Sequence, residues 1–332
     1  MDKIDKQGMY KVYDRWHELA RKAYESDLEP VEFDGIDHIV FAGMGGSGSI
    51  GDLFASILSK TNIHVNVVKG YLLPKTVDKN TLVVCTSISG NTVETLTVLE
   101  SAHRLDCNII AFSSGGKMES FCKENNVEYR KIPQIHSPRA SFVIFVYSLL
   151  NIMNSILPIK KNEVLESITK IEETSHKVSS SNLSHGNPSL QLAEFIDDIP
   201  CIYYPYGLLA AVIRFKNSLQ ENAKIHAFVE DVIETCHNGI VSWETKSSIK
   251  PILIRGTDDY VKTQERWVIL KHYFEKNKIE YMEITSIHGN IFSKILNLIY
   301  LLDYASIYRA ILHNTNPSTI QSIDYIKEKL GS

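Results

Sequence analysis

Two short loops of this chain carry the residue types that hold anions. The glycine loop is Gly43-Met44-Gly45-Gly46-Ser47-Gly48, and the serine loop is Ser87-Ile88-Ser89-Gly90-Asn91-Thr92; each follows an apolar run and precedes an amphipathic one. Glycines let the backbone approach a ligand closely, and hydroxyl groups are short hydrogen-bond donors. A helix that begins behind each loop would aim unpaired N–H groups outward. The two loops therefore predict a cradle for a phosphate group.

Two alternatives compete with the phosphate cradle. The glycine loop also matches the pattern GxGxxG, which binds dinucleotides between a strand and a helix, but such a site needs an acidic residue at the end of the second strand. Here the predicted strand 63–68 is followed by Lys69-Gly70-Tyr71, without a carboxylate. The other alternative is that the hydroxyls of one loop only cap a helix. Two such loops at the carboxyl ends of neighbouring strands favour the phosphate cradle over both.

The composition is that of an ordinary globular protein. The 332 residues are 44% hydrophobic and leave room for two domains. The formal net charge of −4, without a basic stretch, argues against nucleic-acid binding. The first six residues are mostly charged, and no unbroken apolar run reaches 18 residues, so we expect neither a signal peptide nor a membrane segment and place the protein in the cytoplasm. Five scattered cysteines without zinc-site spacing predict reduced thiols.

Short apolar runs alternate with longer amphipathic segments, which is typical of parallel sheets covered by helices. In the first half this pattern predicts strands at 36–42, 63–68, 81–86 and 108–112, and helices at 50–58 and 92–105. In the second half it predicts strands at 201–206, 251–255 and 280–285, and helices at 208–221, 264–277 and 290–313.

A break in this pattern divides the chain. A buried helix is predicted at 141–157, and Pro158 with Lys160-Lys161 follows it. The expectation is an α/β fold of two doubly wound domains with mainly parallel sheets flanked by helices, at 1–157 and 158–332. The second domain has neither the glycine loop nor the serine loop.

Several stretches resemble a known family. The glycine loop, residues 87–95 and residues 112–117 resemble the sugar isomerase (SIS) domain. More narrowly, nearly the whole chain resembles the bifunctional phosphoglucose/phosphomannose isomerases of the phosphoglucose isomerase superfamily, most specifically at Pro138-Arg139-Ala140, Gln220-Glu221-Asn222-Ala223-Lys224 and Cys236-His237-Asn238. The resemblance implies two SIS-type domains and a sugar 6-phosphate ligand. It implies phosphate binding by Gly45, Gly46, Ser47, Ser87, Ser89, Thr92 and Arg139.

The resemblance also implies which groups do chemistry. Interconverting an aldose and a ketose 6-phosphate requires a base that carries a proton between C1 and C2 through a cis-enediolate, and groups that open the sugar ring. The resemblance assigns the base to Glu221, which taken alone would be interpreted as a surface carboxylate at a helix end. It assigns His237 to ring opening across a dimer interface, so that a homodimer with a shared active site is expected. An imidazole titrates near neutrality and suits this step, although His237 could also be a hydrogen-bonded loop histidine.

The C-terminal segment supplies the remaining candidates. The resemblance assigns ring opening also to Lys327, with Lys329 as the alternative; either could instead be a solvated lysine of a terminal helix. Thr319 or Ser318, upstream of this lysine, could fill the place of a hydroxyl that the family links to accepting the C2 epimer.

These inferences predict a cytoplasmic aldose-ketose isomerase that acts on glucose 6-phosphate, fructose 6-phosphate and mannose 6-phosphate. No metal ion or cofactor is expected, because no cluster of His, Asp and Glu has metal-site spacing. One alternative is a non-catalytic sugar-phosphate sensor, and another is a SIS enzyme of amino-sugar phosphates. Such sensors usually carry a DNA-binding segment, which this sequence lacks, and the presence of Glu221, His237 and Lys327 in one chain argues against both.

Overall fold

The computed structural model describes residues 1–330, which form two compact units. The five-stranded unit comprises residues 15–162 and 320–330, and the four-stranded unit comprises residues 1–14 and 163–319. The first fourteen residues therefore belong with the second half of the chain, and the last helix belongs with the first half. A single domain boundary between residues 157 and 158 remains a prediction.

Nine strands and thirteen α-helices make up these units in the described residues. The strands are β1 (His38–Ala42), β2 (His64–Val68), β3 (Thr81–Ser87), β4 (Asn108–Ser113), β5 (Glu128–Lys131), β6 (Pro200–Tyr204), β7 (Phe228–Asp231), β8 (Lys250–Arg255) and β9 (Met282–Thr285). The helices are α1 (Met9–Asp14), α2 (Trp16–Tyr24), α3 (Gly45–Leu58), α4 (Val93–His103), α5 (Gly116–Glu124), α6 (Phe142–Ile152), α7 (Lys161–Val178), α8 (Pro188–Phe195), α9 (Leu209–Ser218), α10 (Val232–Thr235), α11 (Val261–Lys276), α12 (Ile291–Leu312) and α13 (Gln321–Leu330). A π-helical turn, Leu219–Ala223, continues α9, and 3-10 turns lie at Tyr206–Leu208 and Gly239–Glu244.

The five-stranded unit is built on a parallel sheet with the strand order β2-β1-β3-β4-β5. Every residue of β1 and β3 is buried, as expected for central strands covered by helices on both faces. Val83 of β3, Leu99 of α4 and Met118 of α5 belong to one of its apolar clusters. This packing holds the carboxyl ends of β1, β3 and β4 in fixed register.

The four-stranded unit repeats this architecture with the parallel order β7-β6-β8-β9. Tyr203, Leu253, Trp267 and Phe274 pack together in its core. Its longest helix, α12, has 22 residues and is long and apolar enough to span a membrane, but 89% of its apolar 18-residue window is buried inside the protein. In this unit α12 therefore serves as a core helix.

A buried ion pair fixes α9 to α12. The carboxylate of Asp303, fully buried on α12, accepts hydrogen bonds from Arg214 Nε at 2.9 Å and Nη2 at 2.6 Å, from Ser218 Oγ at 2.7 Å, and from the hydroxyl of Tyr13 at 3.1 Å. Burial alone would lower the pKa of the Arg214 guanidinium, but the Asp303 charge raises it above its ordinary value. Three segments distant in sequence thus meet at one carboxylate.

The predicted fold class is confirmed by the two parallel sheets and their helices. The details differ in places. The helix behind the glycine loop begins at Gly45 rather than at Ile50, because residues 46–49 extend the helix toward the loop despite the low helix propensity of glycine; Gly45 itself has a φ of +52°. The buried helix ends at Ile152 rather than at 157, and the helix predicted over 208–221 passes into the π-helical turn. Strands β5 and β7 were not predicted, because each is a short edge strand with charged side chains.

Replacing Asp303 by alanine should leave the Arg214 charge buried without its partner. We expect Asp303→Ala to lower the free energy of unfolding by about 3 to 5 kcal/mol. Urea unfolding followed by the fluorescence of Trp243 and Trp267, which lie in the same unit, measures this loss. The exposed pair Lys262–Glu265 supplies the control, since Lys262→Ala should change stability by less than about 1 kcal/mol. A loss below about 1 kcal/mol in Asp303→Ala would contradict the central role of this pair.

Candidate active site

The glycine loop and the serine loop lie at the carboxyl ends of β1 and β3, which are adjacent in the five-stranded sheet. The strand order reverses between these two strands, since β2 lies beyond β1 and β4 lies beyond β3. Open parallel sheets bind ligands in the crevice outside this point. The fold therefore brings both predicted loops to the place where such a sheet holds a ligand.

The glycine loop offers backbone amides to a ligand. It leads directly into α3, and in residues 1–330 no side chain caps the start of this helix. The first amides of a helix have no partner within it and can bind an anion. A Cβ added to Gly46 would lie 3.3 Å from the Cα of Arg139, so the loop and the backbone of Arg139 pack closely at this glycine. Arg139, which is only 5% exposed, is thereby placed beside the loop.

The serine loop is organised around the hydroxyl of Ser87. Ser87 Oγ donates to Thr92 Oγ1 at 2.9 Å and accepts from the amide of Gly90 at 3.1 Å. Thr92 is the N-cap residue of α4. Ser47 Oγ accepts the amide of Ile88 at 3.2 Å, which joins the serine loop to the glycine loop. The hydroxyls of both loops thus meet near the starts of two helices.

Residues that follow β4 form hydrogen bonds with the serine loop. The amide of Met118 donates to the carbonyl of Gly90 at 2.9 Å, and the amide of Lys117 donates to Asn91 Oδ1 at 3.0 Å. The half-buried Ser89 accepts the amide of Asn91 at 3.3 Å. The structure therefore gathers all seven residues predicted to bind phosphate in one unit, namely Gly45, Gly46, Ser47, Ser87, Ser89, Thr92 and Arg139.

The end of β2 does not fit a dinucleotide. Lys69 follows this strand and pairs with Asp52 of α3 at 2.5 Å. Burial raises the pKa of Asp52, and the Lys69 charge partly offsets this rise. A dinucleotide site would need a carboxylate at the position that Lys69 occupies.

Glu221 lies in the π-helical turn that continues α9, and its side chain is half-buried. The next residue, Asn222, is fully buried and donates to Ser306 Oγ of α12 at 2.8 Å. Because β6 and β7 are parallel neighbours, α9 between them runs from the carboxyl edge of the sheet to its amino edge. Glu221 therefore lies at the amino edge of the four-stranded sheet.

His237 lies at the opposite edge of this sheet. It follows β7 and the short helix α10, and its side chain is exposed. Its loop is held by the amide of His237 on the carbonyl of Glu234 at 2.9 Å and by Asn238 Nδ2 on Glu234 Oε1 at 2.6 Å. Four residues of β7 span about 13 Å. Within one chain, the structure does not bring Glu221 and His237 together.

The C-terminal candidates are divided between the units. Ser318 and Thr319 follow α12 in the four-stranded unit, where Thr319 Oγ1 donates to the carbonyl of Asn316 at 3.3 Å. Lys327 and Lys329 lie on α13 in the five-stranded unit, and every residue of this helix is exposed. The ammonium of Lys329 lies 5.6 Å from the centre of the Tyr325 ring.

Thiols and metal ligands add no further candidate in the described residues. All five cysteines are free, and burial raises the pKa of Cys107 and of Cys122 to about 11. Such thiols stay protonated near neutral pH and are poor nucleophiles. Among residues 1–330, no three His, Cys, Asp or Glu side chains are grouped so that they could hold a metal ion.

Two features of this site were not predicted from the sequence. Arg214 and Asp303 are 89 residues apart in the chain, so no local pattern could have linked them. Lys224 was quoted only as part of a motif, yet its ammonium reaches the carbonyl of Glu221 at 2.7 Å. Its place three residues after Glu221 was the available signal.

Two different family models match the two halves of the chain. A model described as the SIS domain matches residues 33–156, and one described as the bacterial phospho-glucose isomerase C-terminal SIS domain matches residues 185–330. The first match contains the glycine and serine loops, and the second contains Glu221, His237 and Lys327.

Individual proteins resemble the chain over much of its length. It is 30% identical over 327 residues to the bifunctional phosphoglucose/phosphomannose isomerase of Caldicellulosiruptor bescii, covering 95% of this chain and 96% of that protein. It is 29% identical over 250 residues to the D-glucosamine-6-phosphate 4-epimerase of Sulfolobus acidocaldarius, covering 74% and 77%. The crystal structure of a hypothetical protein from Thermus thermophilus superposes with a TM-score of 0.75 at 12% identity, covering 97% of this chain and 90% of that one. The last likeness concerns the fold alone.

The serine loop should tolerate no side chain at Gly90. This residue has a φ of +75°, and an added Cβ would collide with the carbonyl oxygen of Gly115. We expect Gly90→Ala to weaken binding of a sugar 6-phosphate by about tenfold or more, measured by calorimetry, because the loop must shift. Gly70→Ala is the control, since a Cβ there has nothing within 4 Å. Equal affinities in two variants with unchanged circular dichroism would remove the serine loop from the binding site.

Proposed function

Because the chain belongs to the bifunctional phosphoglucose/phosphomannose isomerase family, a family of isomerases, we propose that it interconverts glucose 6-phosphate and mannose 6-phosphate with fructose 6-phosphate. The observation that carries this proposal is the meeting of the glycine loop and the serine loop at the reversal point of the five-stranded sheet. Loops at this place suit a ligand with a terminal phosphate, since backbone amides and helix dipoles favour a dianion.

In the proposed reaction, Gly45, Gly46, Ser47, Ser87, Ser89 and Thr92 hold the 6-phosphate, with Arg139 nearby. This assignment is supported by the hydrogen bonds that join the two loops and by the close approach of residues 138–139 to Gly46. These groups bind the end of the substrate that does not react, so they serve every hexose 6-phosphate alike.

Glu221 acts as the base in this proposal. Its carboxylate removes the proton from C2 of the open-chain aldose and returns it to C1, through a cis-enediolate. The two aldoses differ only in the configuration at C2, and this difference disappears when the C2 proton leaves. Glucose 6-phosphate and mannose 6-phosphate therefore give the same enediolate. Ser318 and Thr319 select between the epimers. The assignment of Glu221 is supported by its π-helical turn, a local geometry that is frequent at functional sites.

His237 and Lys327 open the sugar ring by moving a proton to and from the ring oxygen. Since His237 lies at the opposite edge of the sheet from Glu221 of its own chain, we propose that it serves the active site of a second subunit. The functional unit is then a homodimer with shared active sites. The scheme needs no metal ion and no cofactor, and we place the enzyme in the cytoplasm.

The test of this function is an assay with fructose 6-phosphate as the substrate. Formation of both glucose 6-phosphate and mannose 6-phosphate, scored by coupled enzymes, is the expected result. Glucosamine 6-phosphate is offered in parallel, because the chain also resembles an amino-sugar phosphate epimerase. Conversion of the amino sugar alone would replace the proposed substrates, and binding without turnover of any sugar phosphate would favour a sensor.

Replacing the proposed base should separate binding from chemistry. Glu221→Gln keeps the size of the side chain but removes the basic carboxylate, so kcat should fall by about 10² or more while the substrate still binds. Glu265→Gln, on the exposed side of α11, is the control and should leave kcat unchanged. A Glu221→Gln variant with near-normal kcat would exclude Glu221 as the base.

Mixing two inactive variants tests the shared site. In a mixed dimer of Glu221→Gln and His237→Ala, one shared site carries both lesions and the other carries neither. We expect activity to appear when the two variants are unfolded and refolded together, up to about half of the wild-type value per mixed dimer. If each site came from one chain, every site would keep a lesion. Mixed dimers that form without recovering activity would therefore refute the shared site.

A further inference from the structure

Lys224, the residue after the π-helical turn that carries Glu221, has an unusual backbone conformation. Its φ of +58° and ψ of +36° lie in the left-handed region, which an L residue other than glycine adopts at a cost. Helices often end with such a residue, but it is usually glycine or asparagine. At Lys224 an interaction of the side chain offsets part of this cost.

The ammonium of Lys224 supplies that interaction. It donates to the carbonyl of Glu221 at 2.7 Å, to the carbonyl of Asn222 at 3.2 Å, and to the carbonyl of Asn316 at 3.0 Å. Three donors thus meet three acceptors, and two of these acceptors belong to the end of a helix, where carbonyl groups lack partners and cations are favoured.

The third acceptor lies in the loop that carries Ser318 and Thr319. Asn316 organises this loop, because its Oδ1 accepts the amide of Ser318 at 2.9 Å and its carbonyl accepts Thr319 Oγ1 at 3.3 Å. Ser318 Oγ in turn donates to the buried Asp5 at 3.2 Å. One ammonium therefore connects the turn of Glu221 to the loop of the two hydroxyl residues.

We propose that Lys224 is a positioning residue that fixes the Glu221 turn relative to the Ser318–Thr319 loop, so that proton transfer and choice of the C2 epimer depend on one side chain. This inference rests on the proposed function for its catalytic part. The link between the two segments stands on the hydrogen bonds alone and is measurable without any activity.

The chain supplies a matched control for this lysine. Lys278 also has a left-handed backbone, with a φ of +56°, and also follows a helix, α11. Within residues 1–330 its ammonium makes no hydrogen bond or ion pair. Replacing each lysine by methionine removes an ammonium from the same backbone conformation, and only Lys224→Met removes a link between segments.

The first measurement is amide hydrogen exchange of both variants. We expect Lys224→Met to speed exchange in residues 219–224 and in residues 314–319 together, by about tenfold or more, because both segments lose a common anchor. Lys278→Met should leave both segments unchanged. Unchanged exchange in Lys224→Met would overturn the proposal whatever the enzyme does.

The second measurement is steady-state kinetics with both aldoses. We expect Lys224→Met to lower kcat by about tenfold or more with KM changed by less than about threefold, since the phosphate is held elsewhere. The ratio of kcat/KM for the two epimers should also change, and Lys224→Arg, which keeps a cation, should recover part of both effects.

Faster exchange with an unchanged kcat and an unchanged ratio would reduce Lys224 to a helix cap and overturn its positioning role. A wild-type protein inactive on both aldoses would instead refute the proposed function. The exchange data would still show whether Lys224 links the Glu221 turn to the Ser318–Thr319 loop.

Discussion

In the four-stranded unit, the carboxylate of Asp303 accepts hydrogen bonds from Tyr13, Arg214 and Ser218, and so joins three segments that are far apart in the chain. A charge buried this deeply is tolerated only with such complete pairing. Arg214, Ser218 and Asn222 follow one another at intervals of four residues, and all three bind residues of α12. One face of α9 is thereby fixed against the core, and Glu221 lies off that face. The orientation of the candidate base is a consequence of this buried polar contact.

In the five-stranded unit, the proposed phosphate contacts depend on backbone geometry more than on charged side chains. The chain has a formal net charge of −4, so no general positive field draws an anion to it. In the proposed function, binding depends on the starts of α3 and α4, on the hydroxyls of Ser47, Ser87 and Thr92, and on glycines that permit close packing. Such a site is sensitive to backbone position, because each of its donors acts over the length of one hydrogen bond.

Local patterns predicted the fold class and the strand-to-helix positions of the glycine loop and the serine loop, because both depend on neighbours in the sequence. Strands such as Thr81–Ser87 are continuous apolar runs, and the loops that follow them have a distinctive content of glycine and serine. The π-helical turn at Leu219–Ala223 could not be predicted, since it forms where Asn222 and Lys224 bind distant partners on α12 and at Asn316. The edge strand β7 was missed because its side chains are half exposed and partly charged. The position of His237 relative to Glu221 followed only from the strand order.

The two sheets share the same strand order up to their fourth strand, yet only the first carries the glycine loop and the serine loop at its point of reversal. In the second sheet this point lies between β6 and β8, and the loop that follows β8 carries Asp259. Its carboxylate accepts the amide of Gly256 at 3.1 Å and Trp267 Nε1 at 2.9 Å. Burial raises the pKa of Asp259, and the neighbouring hydrogen bonds oppose that rise. The protein's own carboxylate thus takes the backbone donor that a phosphate would need there, and its charge would repel a phosphate.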